Sequence, residues 1–365
     1  MKILYLVDQL HKCGGLERVL SHKINYISSN CPNIKLAVCT NEQNNKKYFF
    51  NVPDSVCSYD LDINYDHSIS LYSFVNVIKS FSHYFKLKKV INNFKPDVIV
   101  HCGFGYDFYF LPLICRKNIT LIKENHSSRF FKAQKKAGAR YFFEKFYDIN
   151  VFLSKEEQQL SGLKNSMVIA NPVISTQNKQ ALTVNKKPIV IAAGRIAPVK
   201  GFDRLIEVWA LVAKSNPNWQ LHFYGDGESN YIKTLIALIE RLGLTSSVFI
   251  FPAVASIEEK ITEASIYAMT SHTECFPMVL LEAMQYNTSI ISFDCPTGPR
   301  NILESGCGVL VTDGDTQSFA NELNKLMTNP TLRKRLADNA YAHVSDFHIE
   351  RVISQWLIIY GYKND

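Results

Sequence analysis

Short apolar runs, each followed by a stretch with helical spacing, recur along the whole chain. The first, KILYLVD at residues 2–8, lacks alternation of apolar and polar positions, so both of its faces are predicted to be covered. A loop from Gln9 to Cys13 and the pair Gly14-Gly15 then open a helix at Leu16. Further strands are predicted at 34–39, 97–101, 119–124, 149–153 and 167–170, with helical patterns between several of them. Asn171-Pro172 closes this half, because a residue before proline is pushed out of the helical region; the polar segment Ser175 to Lys187 reads as a linker. A second alternation begins at Pro188: strand IVIAAG, helix 201–214, strand LHFYG, helix 228–242, strand VFIF, an apolar run ending at Thr270, a helix containing Val279 to Met284, then strands SIISF and GVLV. A last helix, His348 to Tyr362, carries Val352, Ile353, Trp356, Leu357 and Ile359 on a broad apolar face. This order predicts an α/β protein of two Rossmann-like, doubly wound parallel-sheet domains facing each other across a cleft.

Ligands of such sheets bind at the carboxyl ends of the strands, and polar chemistry collects there. Glu274 lies in the loop after the run ending at Thr270, and Glu282 rides the first two turns of the helix that follows. Amides at a helix N-terminus are unpaired and carry the positive end of the macrodipole, so a phosphate fits between these carboxylates. A phosphate beside groups that accept from hydroxyls describes a nucleotide sugar. Arg195 and Lys200, on the loop Gly194 to Gly201, add two cations; Arg grips phosphate oxygens bidentately and Lys supplies a compact charge. Gly14-Gly15 lets a ligand approach the backbone closely, although the pair is not a G-x-G-x-x-G fingerprint. His101 and His126 close or just follow strands, where ligands of such sheets bind.

These segments together resemble a known family, the GT4-type retaining glycosyltransferases of the GT-B fold (glycosyl transferases group 1). The resemblance rests on Glu274 and Glu282 in the Glu-x7-Glu spacing, on Pro277 and the Leu-Leu-Glu-Ala-Met run, on Gly298-Pro299-Arg300-Asn301, and on Gly194-Arg195 with Lys200-Gly201. It covers nearly all of the second half and the first half loosely. It implies that Glu274 contacts the donor hexose, that Glu282 holds the ribose hydroxyls and that Phe276, Pro277, Met278 and Val279 present amides to the diphosphate. Arg195 and Lys200 would neutralise that diphosphate, Gly14 and Gly15 would lie near donor and acceptor, and His126 would contact the donor sugar. The family's usual Gly after the first Glu is Cys275 here, and a positive φ there would be strained.

The implied domains are an acceptor-binding domain, 1–173, with the terminal helix 346–365 packing back on it, and a nucleotide-sugar domain, 186–345. The implied reaction moves a hexose or N-acetylhexosamine from a UDP-sugar to a glycan or polyprenyl (lipid-linked) saccharide in cell-surface polysaccharide, lipopolysaccharide or glycan biosynthesis. GDP-mannose as donor and a GT-B-shaped sugar-nucleotide epimerase are the alternatives. No cofactor and no metal are expected; the D-x-D matches at Asp60-Leu61-Asp62 and Asp313-Gly314-Asp315 are short, and Asp315 looks like a helix N-cap.

Composition narrows the setting. At 365 residues with 47% hydrophobic content, two ordinary domains can be filled. Nine scattered cysteines without a C-x2-C pair fit reduced thiols in cytoplasm rather than a disulfide framework or zinc site. The net charge of +7 is concentrated between Arg116 and Lys145, where Arg116, Lys117, Lys123, Arg129, Lys132, Lys135, Lys136, Arg140 and Lys145 face only Glu124 and Glu144. Phe130, Phe131, Tyr141, Phe142, Phe143 and Phe146 are interleaved with them, and Lys86, Lys88 and Lys89 beside Tyr84 and Phe85 form a second cluster. This mixture predicts peripheral contact with an anionic membrane at its inner face. No nucleic-acid motif accompanies the charge, so nucleic acid is not an expected partner.

Overall fold

The computed structural model describes residues 1–362 apart from 71, 104, 116–117, 129–141, 176–184, 255 and 304–305. They form two compact units, Met1–Pro172 with Ile349–Asp365, and Val173–His348. Most of the predicted linker, 176–184, lies outside the described residues.

The first unit is built on seven parallel strands: β1 (Lys2–Val7), β2 (Lys35–Thr40), β3 (Cys57–Asp60), β4 (Val98–His101), β5 (Thr120–Glu124), β6 (Ile149–Phe152) and β7 (Ser166–Val168). Their order is β3-β2-β1-β4-β5-β6-β7, with Leu4 opposite Ala37 on one side and Ile99 on the other. Successive side chains of a strand point to opposite faces, so β1 feeds two cores. Ile3, Tyr5 and Val7 pack with Leu20 and Ile24 of α1 (Gly15–Asn30) and with Trp356 of the chain's last helix. Leu4 and Leu6 face Leu87 and Ile91 of α2 (Phe74–Phe94) and Phe108 and Leu111 of α3 (Asp107–Ile114). The short α4 (Lys155–Ser161) precedes β7 and is capped by Ser154, whose hydroxyl accepts from the Glu157 amide.

The second unit repeats the plan with β8 (Lys187–Ala193), β9 (Gln220–Tyr224), β10 (Val248–Phe251), β11 (Ala264–Met269), β12 (Ser289–Asp294) and β13 (Val309–Thr312), all parallel, in the order β10-β9-β8-β11-β12-β13. Helices α5 (Phe202–Val212), α6 (Ser229–Arg241), α7 (Ile257–Glu263), α8 (Met278–Gln285), α9 (Thr316–Thr328) and α10 (Pro330–His343) alternate with or follow these strands. Trp209 and Phe319 are fully buried in the core between sheet and helices. The last helix, α11 (Ile349–Tyr360), returns to the first unit, where its Trp356 and Tyr360 are buried and the Tyr360 and Tyr5 hydroxyls meet at 2.9 Å.

Strand order reverses between β1 and β4 in one sheet and between β8 and β11 in the other. Loops leaving adjacent strands in opposite directions open a crevice at such a point. Among the described residues no helix is long and apolar enough to cross a membrane.

Candidate active site

In the second unit the loops after β8 and β11 are stitched together at the strand-order reversal. The loop after β8 makes a single turn at Pro198–Lys200 and leaves it through Gly201 at φ 62°. A Cβ on Gly201 would stand 2.2 Å from the Thr270 carbonyl oxygen, so close approach as well as the left-handed backbone requires glycine. The Thr270 hydroxyl donates to the Gly201 carbonyl at 2.7 Å, and the His272 amide donates to the Val199 carbonyl at 2.9 Å. Arg204 closes the base, donating to the Thr270 carbonyl at 3.2 Å and pairing with Asp313 at 2.6 Å.

This stitching brings two of the predicted residues into contact. The Lys200 ammonium donates to Glu274 Oε1 at 2.6 Å, with side-chain exposures of 28% and 12%. The Ser271 hydroxyl donates to the same oxygen at 2.7 Å. Both donors converge on Oε1, and among the described residues no protein group donates to Oε2. Arg195 is exposed on the same loop as Lys200, without an ion-pair partner among the described residues.

Behind Glu274 the loop after β12 sets its backbone. Thr297 adopts φ 70°, a region that a β-branched residue enters only under strain, and its hydroxyl donates to the Glu274 carbonyl at 2.9 Å. Gly298 lies so close that an added Cβ would sit 2.6 Å from the Glu274 Cβ. Cys275 is absent from the positive-φ residues, so the expected strain at that position does not arise. Phe276 and Pro277 are buried and Met278 and Val279 half-buried at the start of α8. Pro277, having no N–H, adds no amide to the row predicted there. Glu282 lies one turn further along, at 6% exposure. The Tyr267 phenol, which donates to the Ala193 carbonyl at 3.0 Å, reports on both carboxylates: burial raises its pKa, and Glu282 and Glu274 raise it further.

The remaining predicted residues belong to the first unit. Gly14 is the N-cap of α1 and abuts Glu17; Gly15 begins the helix with open space around it. His126 Nε2 lies 3.1 Å from Glu124 Oε1 in a buried cluster. Both Glu124 oxygens accept from Lys23 Nζ, at 2.9 and 2.8 Å, and the ammonium stands 3.4 Å from the centroid of Trp356. Burial pushes the Glu124 carboxyl up; Lys23 and then His126 more than reverse this and leave it well below the usual carboxylate range. Cys102, Glu124 and His126 together offer a metal-ligating set, but the Lys23 cation already engages both carboxylate oxygens. His101 is buried with Nε2 3.0 Å from Asp107, and burial holds its pKa below the usual imidazole value although Asp107 opposes the shift.

Two expectations from the charge pattern change. Lys123 is not part of a basic surface: it is fully buried and donates to the carbonyls of His101, Gly103 and Glu124 at 3.2, 2.7 and 3.0 Å. Glu124 and Glu144 are buried as well. Arg116, Lys117, Arg129, Phe130, Phe131, Lys132, Lys135, Lys136, Arg140 and Tyr141 lie outside the described residues. Asp60, the first member of one D-x-D match, accepts from the Thr40 hydroxyl and from the Gln43, Asn44 and Asp62 amides, which makes it a loop cap. Asp315, in the other, caps α9 through the Ser318 amide.

Ser271 and Thr297 went unnoticed in the sequence. Ser271 reads there as the first residue of a polar loop, and nothing in the chain around Thr297 announces a left-handed backbone.

Two parallel-sheet α/β units, each with a strand-order reversal, make up the GT-B fold. Residues 173–343, nearly the whole of the second unit, match the family Glycosyl transferases group 1. The chain is 28% identical to the amylovoran biosynthesis glycosyltransferase AmsD of Erwinia amylovora, over 97% of this chain and 98% of that one. It is 25% identical to the lipopolysaccharide 1,6-galactosyltransferase of Salmonella typhimurium, over 90% of each. Among solved structures, Anabaena HepE in complex with UDP superposes with a TM-score of 0.76 at 21% identity, covering 99% of this chain and 100% of that chain.

Proposed function

We propose that the protein is a retaining glycosyltransferase of the GT4 type that moves a hexose or N-acetylhexosamine from a UDP-sugar to a glycan or lipid-linked saccharide of a cell-surface polysaccharide. The observation that carries this reading is the Lys200–Glu274 pair at the mouth of the β8–β11 crevice, one loop from the start of α8. In this reading Glu274 Oε2 accepts from a hydroxyl of the donor sugar and Glu282 from the ribose, while Val173–His348 forms the donor domain and Met1–Pro172 the acceptor domain. Arg195, Lys200 and the amides of Phe276, Met278 and Val279 hold the diphosphate; His126, Gly14 and Gly15 line the approach of donor and acceptor. The UDP bound by HepE and the galactosyl transfer named for the Salmonella relative support this donor class.

The reaction breaks the bond between the sugar C1 and the departing phosphate oxygen. It forms one between C1 and the acceptor oxygen on the same face, and the acceptor proton passes to the leaving phosphate. Charge grows on the diphosphate as the bond lengthens, and fixed cations and amides aimed at it are worth most in that transition state. Lys200 is the central group: it is bound to Glu274 before the donor arrives, so its ammonium is already oriented.

The test is a screen of UDP-hexoses, UDP-N-acetylhexosamines and GDP-mannose for nucleoside diphosphate release, with and without a polyprenyl-linked saccharide, followed by NMR of the product anomer. The reading expects release from a UDP-sugar stimulated by acceptor, with the anomeric configuration kept. An inverted product ends the retaining assignment, and conversion of the sugar nucleotide without acceptor ends the transferase one.

A further inference from the structure

Helix α2 is inside-out over its first three turns. Its buried face starts with Asn76, Ser80 and His83 and turns apolar only at Leu87, Ile91 and Phe94. Its outer face does the reverse. Phe74, Ile78, Phe81 and Phe85, spaced by four, three and four residues, are 80%, 54%, 65% and 66% exposed, and the same stripe continues into exposed Lys88 and Lys89. The apolar part of the stripe is ~16 Å long at the helical rise.

This arrangement is held in place. Asn76 accepts from the Asp66 amide at 3.0 Å and donates to the Asp66 and Ser70 carbonyls at 3.0 and 3.1 Å. His83 Nδ1 meets the Tyr65 hydroxyl at 2.8 Å. Buried polar groups need such partners, and here they fix the helix rotation that leaves three phenylalanines and an isoleucine in water. A helix selected only for solubility would carry the opposite pattern, so the exposed stripe fits a surface that covers it.

The stripe is one edge of a wider aromatic belt. The Tyr72 and Tyr109 hydroxyls meet at 3.3 Å, Tyr84 packs edge-on against Phe110 at 5.5 Å, and Tyr109 packs against Phe143 at 5.0 Å. From there Phe142 and Phe146, 5.4 Å apart and both exposed, extend it. The charge on α2 itself has one sign, with exposed acids confined to the flanking segments at Asp62, Asp66 and Asp148. Helix α2 contains no acidic residue, and the acids of α3 and of 142–146, Asp107 and Glu144, are fully buried. Lys86, Lys88, Lys89 and Lys145 are exposed.

We infer that the exposed face of α2, with the aromatic belt beside it, seats the first unit on an anionic phospholipid bilayer. Aromatic side chains enter the headgroup boundary and the lysines meet lipid phosphates, the combination that anchors an interfacial helix. The inference rests on the reading that the acceptor is lipid-linked, and it puts the membrane contact on α2 rather than on Lys123. An anionic surface, rather than a second copy of this chain, is the occupant because α2 offers no acidic side chain to meet the lysines of a partner's stripe.

The experiment is co-sedimentation of the full chain with phosphatidylcholine vesicles, with and without phosphatidylglycerol, beside calorimetric titration of UDP. Wild type should pellet with anionic vesicles and not with neutral ones. Phe74→Ser with Ile78→Ser and Phe81→Ser, and separately Lys88→Glu with Lys89→Glu, should each weaken this partition about tenfold or more while UDP affinity stays unchanged. Equal pelleting of wild type and variants, pelleting independent of anionic lipid, or a dimer in solution that the serine substitutions dissociate would overturn the inference. UDP binding and sugar transfer to a soluble acceptor without any vesicle binding would overturn the surface and leave the transferase reading standing. Vesicle binding without any UDP affinity would do the opposite.

Discussion

Each unit holds one Lys–Glu pair at the carboxyl end of its sheet, and the two pairs have opposite surroundings. Lys23 and Glu124 are 1% and 2% exposed, with a tryptophan over the ammonium; Lys200 and Glu274 are 28% and 12% exposed, at the mouth of a crevice. Dry charges attract strongly but lose their hydration, so such a pair persists only when every partner is in place, and breaking it is severe. Half-wet charges contribute little to stability and remain available to a ligand. The same residue pairing is an internal brace in one sheet and, under the proposed function, a ligand-facing group in the other, and burial makes the difference.

The sharpest way to break this comparison is Lys23→Ala. It should cost about 3–5 kcal/mol, because Glu124 is left buried without its cation. Chemical denaturation would show it, and Lys23→Met combined with Glu124→Leu should recover most of the loss. A cost below about 1 kcal/mol would remove the distinction, since that is the range of exposed pairs.

Lys200→Ala should do the reverse. Stability should move by no more than about 0.5 kcal/mol, while kcat falls about 10²–10³-fold, as when a single preorganised donor to developing charge is lost. Full activity with a lowered Tm would make the second pair a brace like the first.

Glu282→Gln keeps volume and fold and removes the charge. UDP affinity measured by calorimetry should fall by about 1.5 kcal/mol, roughly tenfold, with an unchanged Tm. Unaltered affinity would separate Glu282 from the ribose.

The smallest effect is one of pH, and it belongs to the first sheet. Burial pushes the Lys123 ammonium down to about 8, so the folded state releases this proton at lower pH than the unfolded chain does. Its charged form therefore opposes folding, fully below pH 8, and the penalty fades as pH rises between 8 and the ordinary lysine range. The stability of wild type relative to Lys123→Met should accordingly rise by about 1 kcal/mol from pH 7 to pH 9. A difference that stays flat or falls would mean that Lys123 is neutral or well solvated.

Much of this contrast was legible in the chain, though unevenly. The second unit's strands read correctly because parallel strands buried on both faces appear as unbroken apolar runs, as in IVIAA and SIISF. Strand β3 was missed because CSYD is a mostly exposed edge with no such run. Lys123 was misassigned for a related reason: a lysine ending a strand looks like a surface charge until three carbonyls are found around it. The resemblance to a family picked out the Lys200 and Glu274 loops, while the second donor, Ser271, depends on how loops fold over one another. The rotation of α2 was illegible too. Its apolar residues follow a 3–4 repeat on both faces, and only the bonds of Asn76 and His83 say which face is inside.

The return of α11 to the first unit has a consequence in time. Trp356, the lid over Lys23, is made only after the whole of Val173–His348 has been synthesised. At about 5–20 residues per second that interval lasts roughly ten to forty seconds. Throughout it, the nascent amino-terminal sheet carries an uncovered lysine and an open apolar groove, while the continuous second unit can already close upon itself. Chaperones that recognise exposed apolar surface should therefore hold this chain by its first half, and should let go when the last helix leaves the ribosome.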